Sequence, residues 1–159
     1  MTTAEARELL LLHSFSYHDL DHPKMEGGFL GSLRPYRGLK QENYHELKEA
    51  ICTLAPQLQA GDVDREIISA LWGICYLAWL WGLEPDRMLQ RNGLIAPDDI
   101  RRLSRWLEAL GYAVMILLEG GDVEEAFSPY AAAYPLEERR RKNRLQQTLT
   151  FDADTGESA

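Results

Sequence analysis

Pro97 to Gly121 reads PDDIRRLSRWLEALGYAVMILLEGG. Ile100, Leu103, Leu107, Leu110, Val114 and Leu117 recur there at alternating spacings of three and four, which draws one apolar stripe down an α-helix. Arg101, Arg102, Arg105 and Glu108 fall off the stripe. Pro97 suits a first turn, where an amide donor would go unused, and Asp98 and Asp99 complement the positive end of the helix. Gly120 and Gly121 stop it, and Asp122 with Glu125 starts a shorter helix with a capping box. A helix so clearly one-sided needs a partner surface, and the rest of the chain offers helical ones.

Upstream, Ile67 to Leu83 runs for 17 residues without a charge. Ile68, Leu71, Cys75, Ala78 and Gly82 form a narrow stripe that tapers to small residues, and Trp72, Tyr76 and Trp79 occupy another face. A helix apolar all round belongs in a core or in a membrane. Its length is at the short limit for a bilayer, and acidic residues crowd both ends, with Asp62, Asp64 and Glu66 before it and Glu84 and Asp86 after. The reading is therefore a bundle helix, with its aromatic face covered by neighbours or by a second subunit. Gly61 and Asp62 are read as a stop followed by its cap.

Tyr44, Leu47, Ile51, Leu54 and Leu58 give a further stripe, which Pro56 is expected to end or kink about a turn early. The first helix should start at Thr2, capped with Glu5 reaching back, and end near His13. Between these two, Pro23, Gly27, Gly28, Gly31, Pro35 and Gly38 forbid any long regular element. Phe29, Leu30, Leu33 and Tyr36 give that segment something to bury, so it is expected to be an ordered loop. Pro129 and Pro135 each fall where a helical turn can begin.

The fold expected is all-α: an irregular helical bundle of about five helices, centred on the Trp-rich and Pro97 helices, with a long ordered Gly/Pro-containing loop after the first helix. Residues 1–150 should form a single helical domain and 151–159 a flexible acidic tail.

Seventeen basic residues against 25 acidic give a net charge of −8, which repels a phosphate backbone over most of the surface, so nucleic acid is an unfavoured partner. Arg139–Arg140–Arg141–Lys142–Asn143–Arg144 is the exception, and it reads more simply as a solvated helix offsetting nearby acids. Two cysteines, Cys52 and Cys75, lie in apolar helical stretches and act as small hydrophobes rather than a disulfide framework. The first residues carry charges and lack a signal-peptide pattern, which predicts a cytoplasmic protein.

All four histidines fall in the first 45 residues. His13, His18, Asp21, His22 and His45 are the candidate metal ligands, but their spacing matches no zinc signature and Pro23 shortens any helix through them. Glu42-x-x-His45 matches half of a di-iron pattern without the second copy or further inward glutamates. The glycines precede no P-loop lysine and follow no strand. No nucleophile elbow or cysteine–histidine pairing appears, so no catalytic residue, metal or cofactor is expected. Arg34, Tyr36 and Arg37 on the loop and Trp72, Tyr76 and Trp79 on the helix are the side-chain types that anchor protein interfaces. They predict a non-enzymatic module that binds another protein, in the manner of an adaptor, inhibitor or immunity factor, or pairs with a second copy through the Trp-rich helix. The alternatives are a metal-dependent enzyme using the N-terminal histidines and a nucleic-acid-associated regulator using the basic run.

Overall fold

The computed structural model describes residues 1–134. The expected boundary at 150, the basic run 139–144 and the tail 151–159 lie outside them. The chain divides into a compact unit, Met1–Ala126, and a second beginning at Phe127.

The first unit is all-α and built on four helices. Helix α1 spans Thr3–His13, with the Thr2–Glu5 capping box in place. A short α2, Pro23–Gly27, interrupts the loop; α3 follows at Gln41–Leu58, and α4 at Arg65–Ala78. Beyond α4 the chain passes into one π-helical turn, Trp79–Leu83, closed by the Glu84 amide donating to the Trp79 carbonyl at 3.1 Å. Then come α5, Met88–Arg91, the long α6, Pro97–Leu118, and α7, Val123–Ala126, whose Asp122 cap accepts from the Glu125 amide at 2.8 Å. In the second unit α8, Ser128–Ala133, carries Pro129 in its first turn, with Phe127, Tyr130 and Tyr134 forming a run of ring contacts.

Helix α1 packs on α3 and α4, and α6 packs on the same two, so the core lies inside a ring of four. The first helix thus has a larger share than a bundle centred on α4 and α6 predicts. Ala6, Leu10, Leu11 and Leu12 are all buried, because a four-residue apolar run covers two neighbours at once. Pro56 does not end α3, which continues to Leu58. The proline is exposed and lies in the last turn, where its ring forfeits one backbone bond while Leu54, Ala55 and Leu58 stay buried. The cap of α4 is Asp64, accepting from the Glu66 amide at 2.8 Å, two residues later than Asp62.

Two stripes are rotated slightly from their expected centres. On α6 the fully buried line is Leu103, Trp106, Leu110, Ala113 and Leu117, with Leu107 and Val114 half-buried. On α4 it is Ile67, Ala70, Leu71, Ile74 and Ala78, continued by Gly82. A Cβ at Gly82 would come within 2.3 Å of Leu103 Cδ2, so the taper to small residues does let α6 approach, through a side chain. By length and composition alone, Arg65–Arg91 is apolar enough to cross a membrane. Its inner face lies against α1 and α6.

The loop is ordered as expected, and its tightest point is Gly31. A Cβ there would meet the Met25 carbonyl oxygen at 2.2 Å and the Glu26 carbonyl at 2.7 Å, both backbone atoms that cannot swing away. Gly31→Ala is expected to lower the unfolding free energy by about 1–3 kcal/mol, as overpacking in a dense interior does. Urea denaturation followed by circular dichroism measures it, and an effect near zero would mean that the loop does not lie on α2 as described.

Candidate functional site

The loop is held down by a hydrogen-bonded centre that begins at the end of α1. His13 is fully buried. Its Nδ1 accepts from the Phe29 amide at 2.9 Å, so the ring proton sits on Nε2 and is donated to Glu46 Oε2 at 3.0 Å. Lys24 Nζ donates to the same carboxylate oxygen. Burial pushes the His13 imidazole below its ordinary pKa and keeps it neutral, despite the adjacent carboxylate. Glu46 is pulled down to about 2, first by the hydrogen bond from His13 and then by Lys24. The other histidines have local tasks. His22 caps α2 by accepting from the Lys24 amide at 3.1 Å, His45 bonds Gln41 at 3.0 Å, and His18 lies tilted against the Tyr17 ring, 4.3 Å between centroids. Asp21 donates its amide to Asp19. Among the described residues no three His, Cys, Asp or Glu side chains converge as metal ligands. Burial pushes the Cys75 thiol up to about 11, which leaves it protonated and unreactive near neutrality.

Arg34, Tyr36 and Arg37 sit on a tight turn with a cis Arg34–Pro35 peptide and a β-bridge between Leu33 and Tyr36. The three side chains part company there. Tyr36 is half-buried and donates its hydroxyl to Asp99 Oδ2 at 2.5 Å, which ties the loop to the start of α6. Burial, reinforced by that carboxylate, drives its pKa well above the phenol range. Arg37 pairs with Glu26 at 2.7 Å on the exposed rim. Arg34 alone reaches out, its guanidinium 5.4 Å from the centroid of Trp81, where the ring face attracts the cation.

Trp72, Tyr76 and Trp79 point outward from α4. Trp72 is 70% exposed and the other two nearly half exposed. The Trp72 and Tyr76 rings lie parallel, 6.2 Å apart, so the face is preassembled. Trp81, two residues on, instead turns toward the loop and meets Phe15 at 6.4 Å.

Between the loop and α5 lies a cleft of about 410 Å³. Its floor is Leu33, Leu80, Trp81, Met88 and Leu89, and Arg34, Arg87 and Arg91 line it with Asp86 as the lone acid. Sequence reasoning passes over this site, since the residues around α5 read as a polar connection. The available signal was the spacing of Arg87 and Arg91, four apart, which places both on one side of a helical turn. Glu46 as the partner of His13, and Lys24 as the second partner of Glu46, were likewise hidden, because a charged side chain on a helix gives no sign of which distant residue it meets.

No family model, curated protein or solved structure matches this chain, so the roles of these residues rest on their own geometry and chemistry.

Proposed function

We propose that this is a non-enzymatic cytoplasmic protein-interaction module, an adaptor, inhibitor or immunity-like protein that binds another protein through the outer face of α4. The observation that carries the reading is the exposure of Trp72, stacked on Tyr76 and followed by Trp79 on the same face. Large aromatic rings fixed before contact lose little side-chain entropy on binding, and Trp, Tyr and Arg dominate interface energetics. Arg34 offers a second contact on the loop, with Tyr36 and Arg37 holding the turn that carries it. Support over the metal-enzyme alternative comes from His13, bonded at both ring nitrogens, and from His22 and His45, each engaged in a local hydrogen bond.

The test is partner capture by the wild-type protein and by a Trp72→Ala/Trp79→Ala variant with an unchanged circular dichroism spectrum. The expected result is one protein retained near equal stoichiometry by the wild type, with at least about a hundredfold weaker binding by the variant, as hot-spot aromatics imply. Sedimentation equilibrium shows whether that partner is a second copy of the chain. Equal capture by both proteins, or binding to neutral lipid vesicles in place of a protein, would refute the proposal.

A further inference from the structure

In a chain of net charge −8, the cleft beside α5 gathers three guanidinium groups around an apolar floor with a single carboxylate. Arg7, Arg37, Arg101 and Arg102 each hold a carboxylate elsewhere on the surface. Arg34, Arg87 and Arg91 hold none among the described residues. They are nevertheless well placed. Arg34 rests on Trp81, while α5 is fixed by Gln90 donating to the Gly82 carbonyl at 3.0 Å and by the buried Leu89. A second recess, of about 230 Å³, shares Arg34 in its lining, along with Phe15, Pro35 and the paired Glu26 and Arg37. Arg34 thus lines both recesses.

We infer that this cleft receives an acidic segment of a partner protein, one large apolar side chain seated on Leu80, Trp81 and Met88 and flanking carboxylates held by Arg34, Arg87 and Arg91. This deepens the protein-binding reading by naming the chemistry of the partner. Arginine suits the task because its planar fork engages a carboxylate through two parallel hydrogen bonds. An apolar floor with a few convergent polar groups is the usual composition of a recognition pocket. A peptide occupant follows from the protein-binding reading, and its negative charge from the excess of guanidinium groups over the single carboxylate in the cleft.

The experiment titrates the full chain with a short fluorescein-labelled peptide, one phenylalanine flanked on each side by aspartates, and with a control in which asparagines replace them. The aspartate peptide is expected to bind, with the asparagine control and the Arg87→Ala/Arg91→Ala variant each weaker by about tenfold or more. Arg101→Ala/Arg105→Ala, an equal change of charge on α6, is expected to leave the affinity unchanged. Bound peptide should also alter the fluorescence of Trp81, an effect lost in Trp81→Phe. The inference is overturned if the aspartate peptide fails to bind, if both peptides bind alike, or if inorganic phosphate or single-stranded DNA displaces the peptide at lower concentration than free aspartate peptide does. Because the outer face of α4 is untouched in every variant, failure here leaves partner capture through Trp72 and Trp79 standing, and failure of that capture leaves this result standing.

Discussion

Alanine at Trp106 is expected to lower the unfolding free energy by about 3–5 kcal/mol, the range for deleting a fully buried large aromatic ring. The ring is 2% exposed and sits where α6, α3 and the loop meet. It stacks on Tyr44 at 4.8 Å, with the ring planes 7° apart, and lies 6.3 Å from Phe29. A cavity there removes the surface against which the loop packs as well as the α3–α6 contact. Domains of this size are stable by only about 5–15 kcal/mol, so the loss is a large fraction of the whole. Guanidinium denaturation followed by far-ultraviolet circular dichroism is the suitable measurement, since Trp72, Trp79 and Trp81 also fluoresce. Trp106→Phe should recover part of the deficit. A cost below about 1 kcal/mol would show that the centre of the core lies elsewhere.

His13→Ala should cost about 3 kcal/mol, for two separable reasons. It strands the buried Phe29 amide, worth about 1–3 kcal/mol, and it empties volume at the end of α1. The pH dependence tests the buried neutral imidazole itself. Because the folded-state pKa of His13 is depressed, the unfolded chain takes up a proton below about 6.5 while the folded protein does not. Stability is then greatest above that pH and falls as pH drops through the window toward the lowered folded value. Glu46 adds a second decline. Its pKa of about 2 lies below the ordinary value of 4.5, so its stabilisation is present above 4.5 and is lost as pH falls toward 2. Urea midpoints from pH 8 to pH 3 should fall in two stages in the wild type, and His13→Ala should abolish the first. An unchanged first stage would assign it to another group.

The comparison of α6 with the loop shows what could be read in advance. Spacing alone specified that Pro97–Leu118 is a helix with one apolar side, because a period near 3.6 leaves few other ways to bury those leucines. It could not choose the centre of that side. Leu107 and Trp106 are one residue apart, and the larger ring took the core because Tyr44 on α3 offered a flat surface to stack on. Pro56 is a similar case: propensity argues for a stop, and the burial of Leu58 one residue-pair later outweighs it.

The candidate site was legible in residue type and hidden in partnership. Arg34, Tyr36 and Arg37 are close in sequence, yet one stacks on Trp81, one bonds Asp99 and one pairs with Glu26. Those fates depend on which distant element the turn lies against. The exposure of Trp72 likewise follows from α1 and α6 occupying the other side of α4.

The sequence by itself determined the four long helices, the Thr2 and Asp122 caps and the ordered loop, since each depends on contacts between residues three or four apart or on the backbone limits of glycine and proline. Only the tertiary structure decided that His13 would bind the loop, that Trp106 would lie at the core, and that Arg34 would join Arg87 and Arg91 around one cleft. Long-range packing brings such groups together, and a local pattern carries no record of which distant surfaces will meet.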